Sequence, residues 1–460
     1  MLSNRSDLSE IEAALLPWLK ARMPDAEDLS IANLRKAERG FSTDTLLFEA
    51  RWSEGGKPVS RGMVLRRKPE LPLFPDYDLR RQIRVMECLQ NTSIPVPKVL
   101  WFEKNAGILN DPFYIMNEIK GVTPSDYPVY HAHGCYLEAT PAQRAKMWWG
   151  CIETMARIHQ LDWKALGLSF LAMPRYGAAP LDQALNYLEH CLHWAREGQP
   201  QPILEQGLKW LKDHRYTPEH ITLCWGDSRM SNIIYDARTF DVVAVLDWEI
   251  AYLGDHEADL AWTIFQDWSA SEFCGVPRLP GTPGTDETVH RYEALTGWKV
   301  KNLLYNEVLA GVVLGVPMLV IYKRMKKAGV PIGDVELNNL CTHWIAELLE
   351  LPLPGPRPTP PPKPGESVFT VQLQITGPDG GDWYLVSDKG TVSTHDGRAP
   401  NPNVTLTVAA PDWEAILRGE MDRTQAFMSG KMRAEGDIGL LIESGDTIMK
   451  AAAERRRRAV

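Results

Sequence analysis

The spacing of hydrophobic and polar positions changes twice along this chain, and the changes divide it. Before about residue 120 the apolar runs are short. Those at 46–50, 63–67 and 113–119 are bounded by turn-forming residues and predict strands. From Pro141 onward, apolar residues recur every three to four positions through 145–159, 181–196 and 305–325, which predicts amphipathic helices. Beyond residue 364 the pattern alternates strictly. Phe369, Val371, Leu373 and Ile375 fall on one face, with Thr370, Gln372 and Gln374 on the other. Val404, Leu406 and Val408 repeat this against Thr405 and Thr407, so half-buried antiparallel strands are expected, followed by short helices at 411–418 and 424–429.

Between the second and third regimes lies LPLPGPRPTPPPKP, residues 351–364. So much proline favours polyproline II and forbids a packed core, giving a semi-rigid spacer of up to roughly 40 Å. The expected organisation is therefore an N-terminal helix and strand-rich lobe over 1–119 and a helical lobe over 120–350. A proline-rich linker over 351–364 and a small α+β unit over 365–460 follow. A strand-rich lobe beside a helical one leaves a cleft, where ligands commonly bind. Ser9 and Glu12 have the spacing of a capping box for the first helix.

Composition narrows the class. The chain has 460 residues, 44% hydrophobic and 24% charged, with a formal net charge of −9, so a nucleic-acid partner is not expected. The seven cysteines form no C-x-x-C pair, which fits free buried thiols in a reducing, cytoplasmic setting. The most apolar stretch, 308–322, carries Gly311, Gly315 and Pro317 and reads as a core helix, with no integral membrane segment expected.

Candidate chemistry is concentrated in Leu-Cys-Trp-Gly-Asp-Ser-Arg-Met-Ser-Asn, residues 223–232. Asp227 stands on a Gly-Asp corner and Asn232 follows five positions later. An apolar strand at 242–246 then delivers Asp247 into Asp-Trp-Glu. A carboxylate on a sharp corner suits a general base for an acceptor hydroxyl. An amide and a second carboxylate supply the hard oxygen ligands that Mg²⁺ prefers. His131 and His133 (Tyr-His-Ala-His-Gly) have strand-ligand spacing without a third ligand. His190 and His193 lie one helical turn apart, and Arg455–Arg458 read as a solvated tail.

With these motifs in view, residues 30–350 resemble the aminoglycoside phosphotransferase-like family, whose fold is two-lobed and protein-kinase-like. The resemblance implies an ATP- and Mg²⁺-dependent phosphotransferase, with Asp227 as catalytic base and Asn232 and Asp247 as metal ligands. The family's loop often begins His-Gly-Asp; here Trp225 takes the first place. In Gly254-Asp255-His256-Glu257-Ala258-Asp259-Leu260-Ala261, which resembles the family's Gly-Asp-Pro…Asp-Leu-Ala segment, Asp259 would hydrogen-bond the catalytic loop. His159, a helix-ending histidine, would be structural. Gly40, Phe41, Ser42 and Thr43 look like the phosphate-covering loop. Arg66 stands where the family has its phosphate-pairing lysine, and Gln82 where it has the orienting glutamate. Asn117 to Ile119 would offer hinge backbone groups to the adenine.

Residues 366–450 resemble the sterol carrier protein type 2 family. The carrying segment is Gln425-Ala426-Phe427-Met428-Ser429-Gly430-Lys431-Met432, continuing to Glu435-Gly436-Asp437-Ile438-Gly439-Leu440. This resemblance implies a five-stranded sheet covered by helices, with a lipid ligand in an apolar tunnel. The expected fold class is thus α+β, a kinase-like two-lobed unit plus a small sterol-carrier-like domain. Trp-Gly-Asp…Leu-Asp-Trp-Glu is similar to kinase-like domains fused to some acyl-CoA dehydrogenases, implying a small-molecule or hydroxyacyl-CoA acceptor. Two alternatives stay open: a lipid carrier or scaffold whose kinase-like part binds nucleotide without turnover, and an aminoglycoside or macrolide kinase.

Overall fold

The computed structural model describes residues 7–37, 44–69, 71–327, 332–357, 368–378, 380–388, 391–421, 423–428, 430–436 and 438–459. Helix α1 (Leu8–Arg22) leads into β1 (Glu27–Lys36), β2 (Asp44–Glu54) and β3 (Lys57–Arg67). Helix α2 (Leu79–Leu89), β4 (Val99–Glu103) and β5 (Phe113–Asn117) complete the first lobe. The strands form an antiparallel five-stranded sheet in the order β1-β2-β3-β5-β4. Alternation along β3 sends Met63 and Leu65 into a core with Ile11, Leu15 and Leu19 of α1. Val64 goes to the other core, with Ile83 and Met86 of α2. Arg66, in phase with Val64, is thereby aimed at the α2 side. The cap of α1 differs from the expected box: Asp7 accepts from the Ser9 and Glu10 amides at 2.8 and 3.3 Å. A carboxylate two residues ahead of Ser9 satisfies these orphan donors first.

The second lobe comprises α3 (Gly134–Glu138), α4 (Pro141–His159), α5 (Pro180–Arg196) and α6 (Pro202–Asp213), then β6 (Ile221–Cys224), β7 (Ile233–Tyr235), β8 (Val242–Val245) and β9 (Tyr252–Asp255). Helices α7 (Glu257–Trp268), α8 (Thr285–Thr296), α9 (Leu303–Lys327) and α10 (Leu340–Leu348) close it. Helix α9 is long and apolar enough to cross a membrane by length and composition. Here it packs against α5, α6, α7 and α10 as the axis of the lobe. Its glycines permit this: a Cβ on Gly315 would lie 2.5 Å from Leu204, and one on Gly311 2.8 Å from Ile345.

The C-terminal unit holds β10 (Val368–Thr376), β11 (Gly381–Asp388), β12 (Thr391–Asp396) and β13 (Val404–Ala409). Helices α11 (Ala410–Leu417) and α12 (Arg423–Met428), β14 (Met432–Gly436) and α13 (Ile438–Ala459) follow. The sheet order is β12-β11-β10-β13-β14. The expectation of antiparallel strands fails at its centre, where β10 and β13 run parallel. The hairpin β11–β12 lies on the far side of β10, so the chain must cross over to reach the free edge. Gln372, expected on the polar face, is buried; its amide bonds Trp383 O and Gly397 O at 3.0 and 3.2 Å. The arginine run is not a free tail. It lies on α13, where Arg455 pairs with Asp396 and stacks over Trp383, and Arg456 pairs with Glu414 at 3.0 Å.

The start of the proline-rich stretch also departs from a stand-off spacer. Arg357 pairs with Glu347 at 2.6 Å and lies over the Trp268 ring, while Asn338 donates to Pro356 O. Those contacts fold 351–357 back onto the helical lobe; the rest of the linker lies outside the described residues. Met325 and Ile332 pack against the apolar core of the C-terminal unit. None of the seven cysteines, all among the described residues, is in a disulfide, but Cys88, Cys135 and Cys274 are only half-buried.

Candidate active site

Strand β6, paired antiparallel with β9, carries the chain into Trp225-Gly226-Asp227. Gly226 has φ +90°, and a Cβ there would meet Ile250 O at 2.5 Å, so this corner requires glycine. Trp225 is fully buried, and its indole donates to Leu246 O at 2.7 Å. The loop is gripped by one face of α7. Asp259 accepts from the Trp225 and Gly226 amides at 2.6 and 2.8 Å, and His159 Nε2 lies 3.0 Å from the same carboxylate. Thr263, four residues on, donates to Ser228 O at 2.5 Å. Asp259 and His159 thus hold the loop, the structural parts expected of them.

Asn232 and Asp247 meet at the open end of the β7–β8 hairpin, where Leu246 N donates to Asn232 O at 2.8 Å. Asn232 Nδ2 donates to Asp227 Oδ2 at 2.6 Å, which turns its amide oxygen away from the base. Asp247 has φ +56° and forms an ion pair with Arg66 Nη1 at 2.7 Å. Arg66 also donates to Gln82 Oε1 at 3.4 Å, and Gln82 accepts from Tyr114 OH at 3.0 Å. The arginine is therefore held without the family's glutamate: Asp247 supplies the charge and Gln82 a neutral acceptor. Burial opposes the Arg66 charge, but Asp247 beside it keeps the guanidinium raised well above its usual range. Burial pushes the Tyr114 hydroxyl up to about 12.

The Asp227 carboxyl sits above its ordinary range because burial penalises its charge. Arg229 opposes that effect, while Asp247 and Asp126 add to it. Two contacts to Asp227 were not anticipated. Trp262 Nε1 donates to Oδ1 at 3.0 Å, and Arg229 Nε lies 2.9 Å from the same oxygen as an ion pair. Arg229 Nη1 in turn pairs with Asp126 at 2.8 Å. Trp262 was readable only as core, although Asp259, Trp262 and Thr263 fall at i, i+3 and i+4 on one helix face. Arg229, two residues after Asp227, gave no separate signal.

Other expected residues fall elsewhere. Gly40, Phe41, Ser42 and Thr43 lie outside the described residues. The Asn117 amide is committed to Lys98 O and that of Glu118 to Gly62 O, each at 3.0 Å. Of the backbone groups expected at the hinge, the N–H groups of Asn117 and Glu118 are thus already bonded. Among the described residues, the Ile119 peptide bonds to no other backbone group. His131 is no metal ligand: it bridges Asp267 at 3.0 Å and the Leu279 amide at 3.2 Å. His190 packs beside Tyr176 and Tyr187, and His193 lies against Arg196.

A family model for the phosphotransferase enzyme family matches residues 33–282, more than half of the chain. The chain belongs to that family. A second model, for the SCP-2 sterol transfer family, matches residues 366–446. Among curated proteins, this phosphotransferase-family chain is 31% identical over 231 residues to mouse acyl-CoA dehydrogenase family member 10, covering 50% of this chain and 20% of that one. It is 30% identical over 220 residues to rat acyl-CoA dehydrogenase family member 11, covering 45% and 26%. The chain therefore spans about a quarter or less of these relatives' length. A Ralstonia eutropha structure named for the aminoglycoside phosphotransferases aligns with TM-score 0.54 at 20% identity, over 74% of this chain and 98% of that one. This likeness shows a kinase-like fold. This family member has, in Trp262, Arg229 and Asp126, more built around its candidate base than its linear motif states.

Proposed function

We propose that the protein transfers the γ-phosphoryl group of ATP to a hydroxyl on a small or acyl-chain acceptor, a hydroxyacyl-CoA best of all. The observation that carries the reading is the meeting of Asp227, Asn232 and Asp247 at one hairpin end, with Arg66 against Asp247 at 2.7 Å. The oxygen donors fit Mg²⁺: Asn232 presents an amide oxygen and Asp247 a carboxylate. When bound, the ion would neutralise phosphate charge, and Asn232 and Asp247 would hold it. Asp227 orients the acceptor hydroxyl and takes its proton. Burial supports this role by keeping the carboxyl more basic than an exposed aspartate. Arg66 offers the phosphates a planar, permanently charged donor, and the Ile119 peptide remains for the adenine edge.

The acyl-CoA preference rests on the two relatives named for acyl-CoA dehydrogenases and on the C-terminal match to a sterol transfer family. An appended lipid-binding unit raises the local concentration of an acyl substrate. Cysteines outside any disulfide suit a reducing, cytoplasmic setting.

The test is phosphate transfer from labelled ATP, with and without Mg²⁺, across hydroxyacyl-CoAs, sterols, aminoglycosides and macrolides. Metal-dependent transfer to a hydroxyacyl-CoA supports the reading, and efficient transfer to a drug alone overturns the acceptor class. A second reading, nucleotide binding without turnover, is favoured by Gln82 in place of an acid and by Arg66 occupying Asp247. Nucleotide binding with no transfer to any acceptor would establish it.

A further inference from the structure

The junction between β9 and α7 carries ligand chemistry that phosphoryl transfer does not use. Asp255 ends the strand, His256 follows, and Glu257 opens the helix; all three are buried. One ligand atom from each lies within 4.8 Å of the other two. His256 Nε2 stands 3.8 Å from Asp255 Oδ1, beyond hydrogen-bond reach. Both carboxylates are fixed by neutral donors: Tyr216 OH and the Glu257 amide on Asp255, and the Lys301 and Asn302 amides on Glu257 at 2.8 and 2.7 Å. Among the described residues neither forms an ion pair with a lysine or arginine, and the Lys301 ammonium goes to Glu219 instead. Two buried anions this close leave charge unanswered. A second, independent observation falls at the same place. Asn306, 1% exposed on the first turn of α9, stands beside Asp255. Its Nδ2 is spent on Tyr216 OH and Asn302 O at 2.9 and 3.0 Å, which fixes the amide's orientation and leaves Oδ1 buried with no hydrogen-bond partner. A leftover acceptor beside two carboxylates fits a cation.

We propose that Asp255, His256, Glu257 and the Asn306 carboxamide oxygen form a structural site for a divalent cation of the zinc class. The donor set selects the metal: an imidazole nitrogen disfavours Mg²⁺ and Ca²⁺, and the absence of a thiolate from this set disfavours softer ions. Zinc bonds of about 2.0–2.2 Å draw the ligands in slightly from their present spread. The far side of the imidazole supplies the outer partner that such a site needs. His256 Nδ1 lies 3.1 Å from Tyr292 OH, Tyr292 OH lies 2.6 Å from His159 Nδ1, and His159 Nε2 lies 3.0 Å from Asp259. With the ion on Nε2, His256 carries its proton on Nδ1 and donates to the Tyr292 oxygen. Tyr292 then donates to His159 Nδ1, which keeps the His159 proton on Nε2, facing Asp259. Asp259 in turn accepts from the Trp225 and Gly226 amides. One bound ion therefore orders a single direction of hydrogen bonds from the α7 junction to the catalytic loop. The site shares no residue with Asn232 and Asp247, and it depends neither on the acceptor nor on turnover.

The experiment uses the full chain, stripped with EDTA and given Zn²⁺ in excess Mg²⁺, with bound zinc counted after dialysis. Wild type should retain a single equivalent, and so should Asn232→Ala/Asp247→Asn, which lacks the ligands expected for Mg²⁺. His256→Phe keeps a ring stacked on Tyr292 but removes the nitrogen. That variant and Glu257→Gln should each weaken binding by at least about 100-fold, beyond the cost of an outer-shell change. X-ray absorption of the zinc-loaded wild type should show one imidazole among oxygen neighbours, a readout that stands should a buried variant not fold. Zinc should also slow amide exchange at Trp225 and Gly226, and Tyr292→Phe should abolish that slowing while keeping the metal. No zinc retained by wild type or by Asn232→Ala/Asp247→Asn, zinc held equally by His256→Phe, or a spectrum without imidazole would overturn the site. Zinc retained with no change in exchange at the loop would overturn the relay.

Discussion

Replacing Asp259 by asparagine should loosen the catalytic loop far more than an isosteric change suggests. Asp259 is 1% exposed and accepts three hydrogen bonds: Trp225 N at 2.6 Å and His159 Nε2 at 3.0 Å on one oxygen, Gly226 N at 2.8 Å on the other. Asparagine has one acceptor oxygen, and whichever way the amide turns, its NH₂ faces at least one buried N–H. In the better orientation one amide is left unsatisfied, at about 1–3 kcal/mol, and two charge-assisted bonds become neutral ones, at about 1 kcal/mol each. The sum is about 3–5 kcal/mol, much of it local to the loop. Amide hydrogen exchange at Trp225 and Gly226 reads that term directly. Asp259→Asn should speed it by about 10²- to 10³-fold, with a parallel loss of turnover because Asp227 is the next residue. Wild-type protection together with wild-type turnover would refute the idea that Asp259 sets the loop.

The remaining predictions concern charge. Gln82→Glu should draw Arg66 from Asp247 and tighten Mn²⁺ binding about fivefold, from a contact worth roughly 1 kcal/mol; unchanged or weaker metal binding would remove Arg66 as a competitor for Asp247. Asp227→Asn should lower turnover by about 10²–10⁴-fold, and wild-type turnover would remove Asp227 from the role of base. The folded Asp227 pKa lies above its unfolded 3.8, so charging the group costs the fold stability as pH rises through that window. Glu307, pushed by burial from 4.5 to about 7, follows the same sign. Wild type should lose on the order of 2 kcal/mol between those limits, and Glu307→Gln should flatten the curve of melting temperature against pH; parallel curves would count against it.

Much of this molecule is legible before folding is considered. The strands at 46–50 and 63–67 are there, lengthened to β2 and β3. The helix expected from residue 145 is α4, from Pro141 to His159, because Thr140 caps it with Gln143 in a reciprocal box. Strict alternation marks β10 and β13 correctly but carries no direction, since a period of two is the same for parallel and antiparallel partners. Hence the parallel pairing at the centre of that sheet was beyond it. Proline content favoured an extended spacer at 351–364, yet Arg357 finds Glu347 and Trp268 and folds the first half back. Propensity states what the backbone prefers alone, and a charged, aromatic contact overrides it.

The candidate site divides along the same line. Asp227, Asn232 and Asp247 are legible as candidates from sequence alone, because a phosphoryl-transfer reading looks for those residue types in that order on a corner and a strand end. How Arg66 is held without a glutamate, and what surrounds Asp227, only the tertiary structure decided. Asp247 lies 181 residues from Arg66, Trp262 lies 35 from Asp227, and Asp126 is tied to the base through Arg229. A motif records local geometry, whereas the basicity of a buried carboxylate depends on every charge and dipole packed around it. For this chain those neighbours come from α7 and from the segment after β5, which meet the loop only once the two lobes are built.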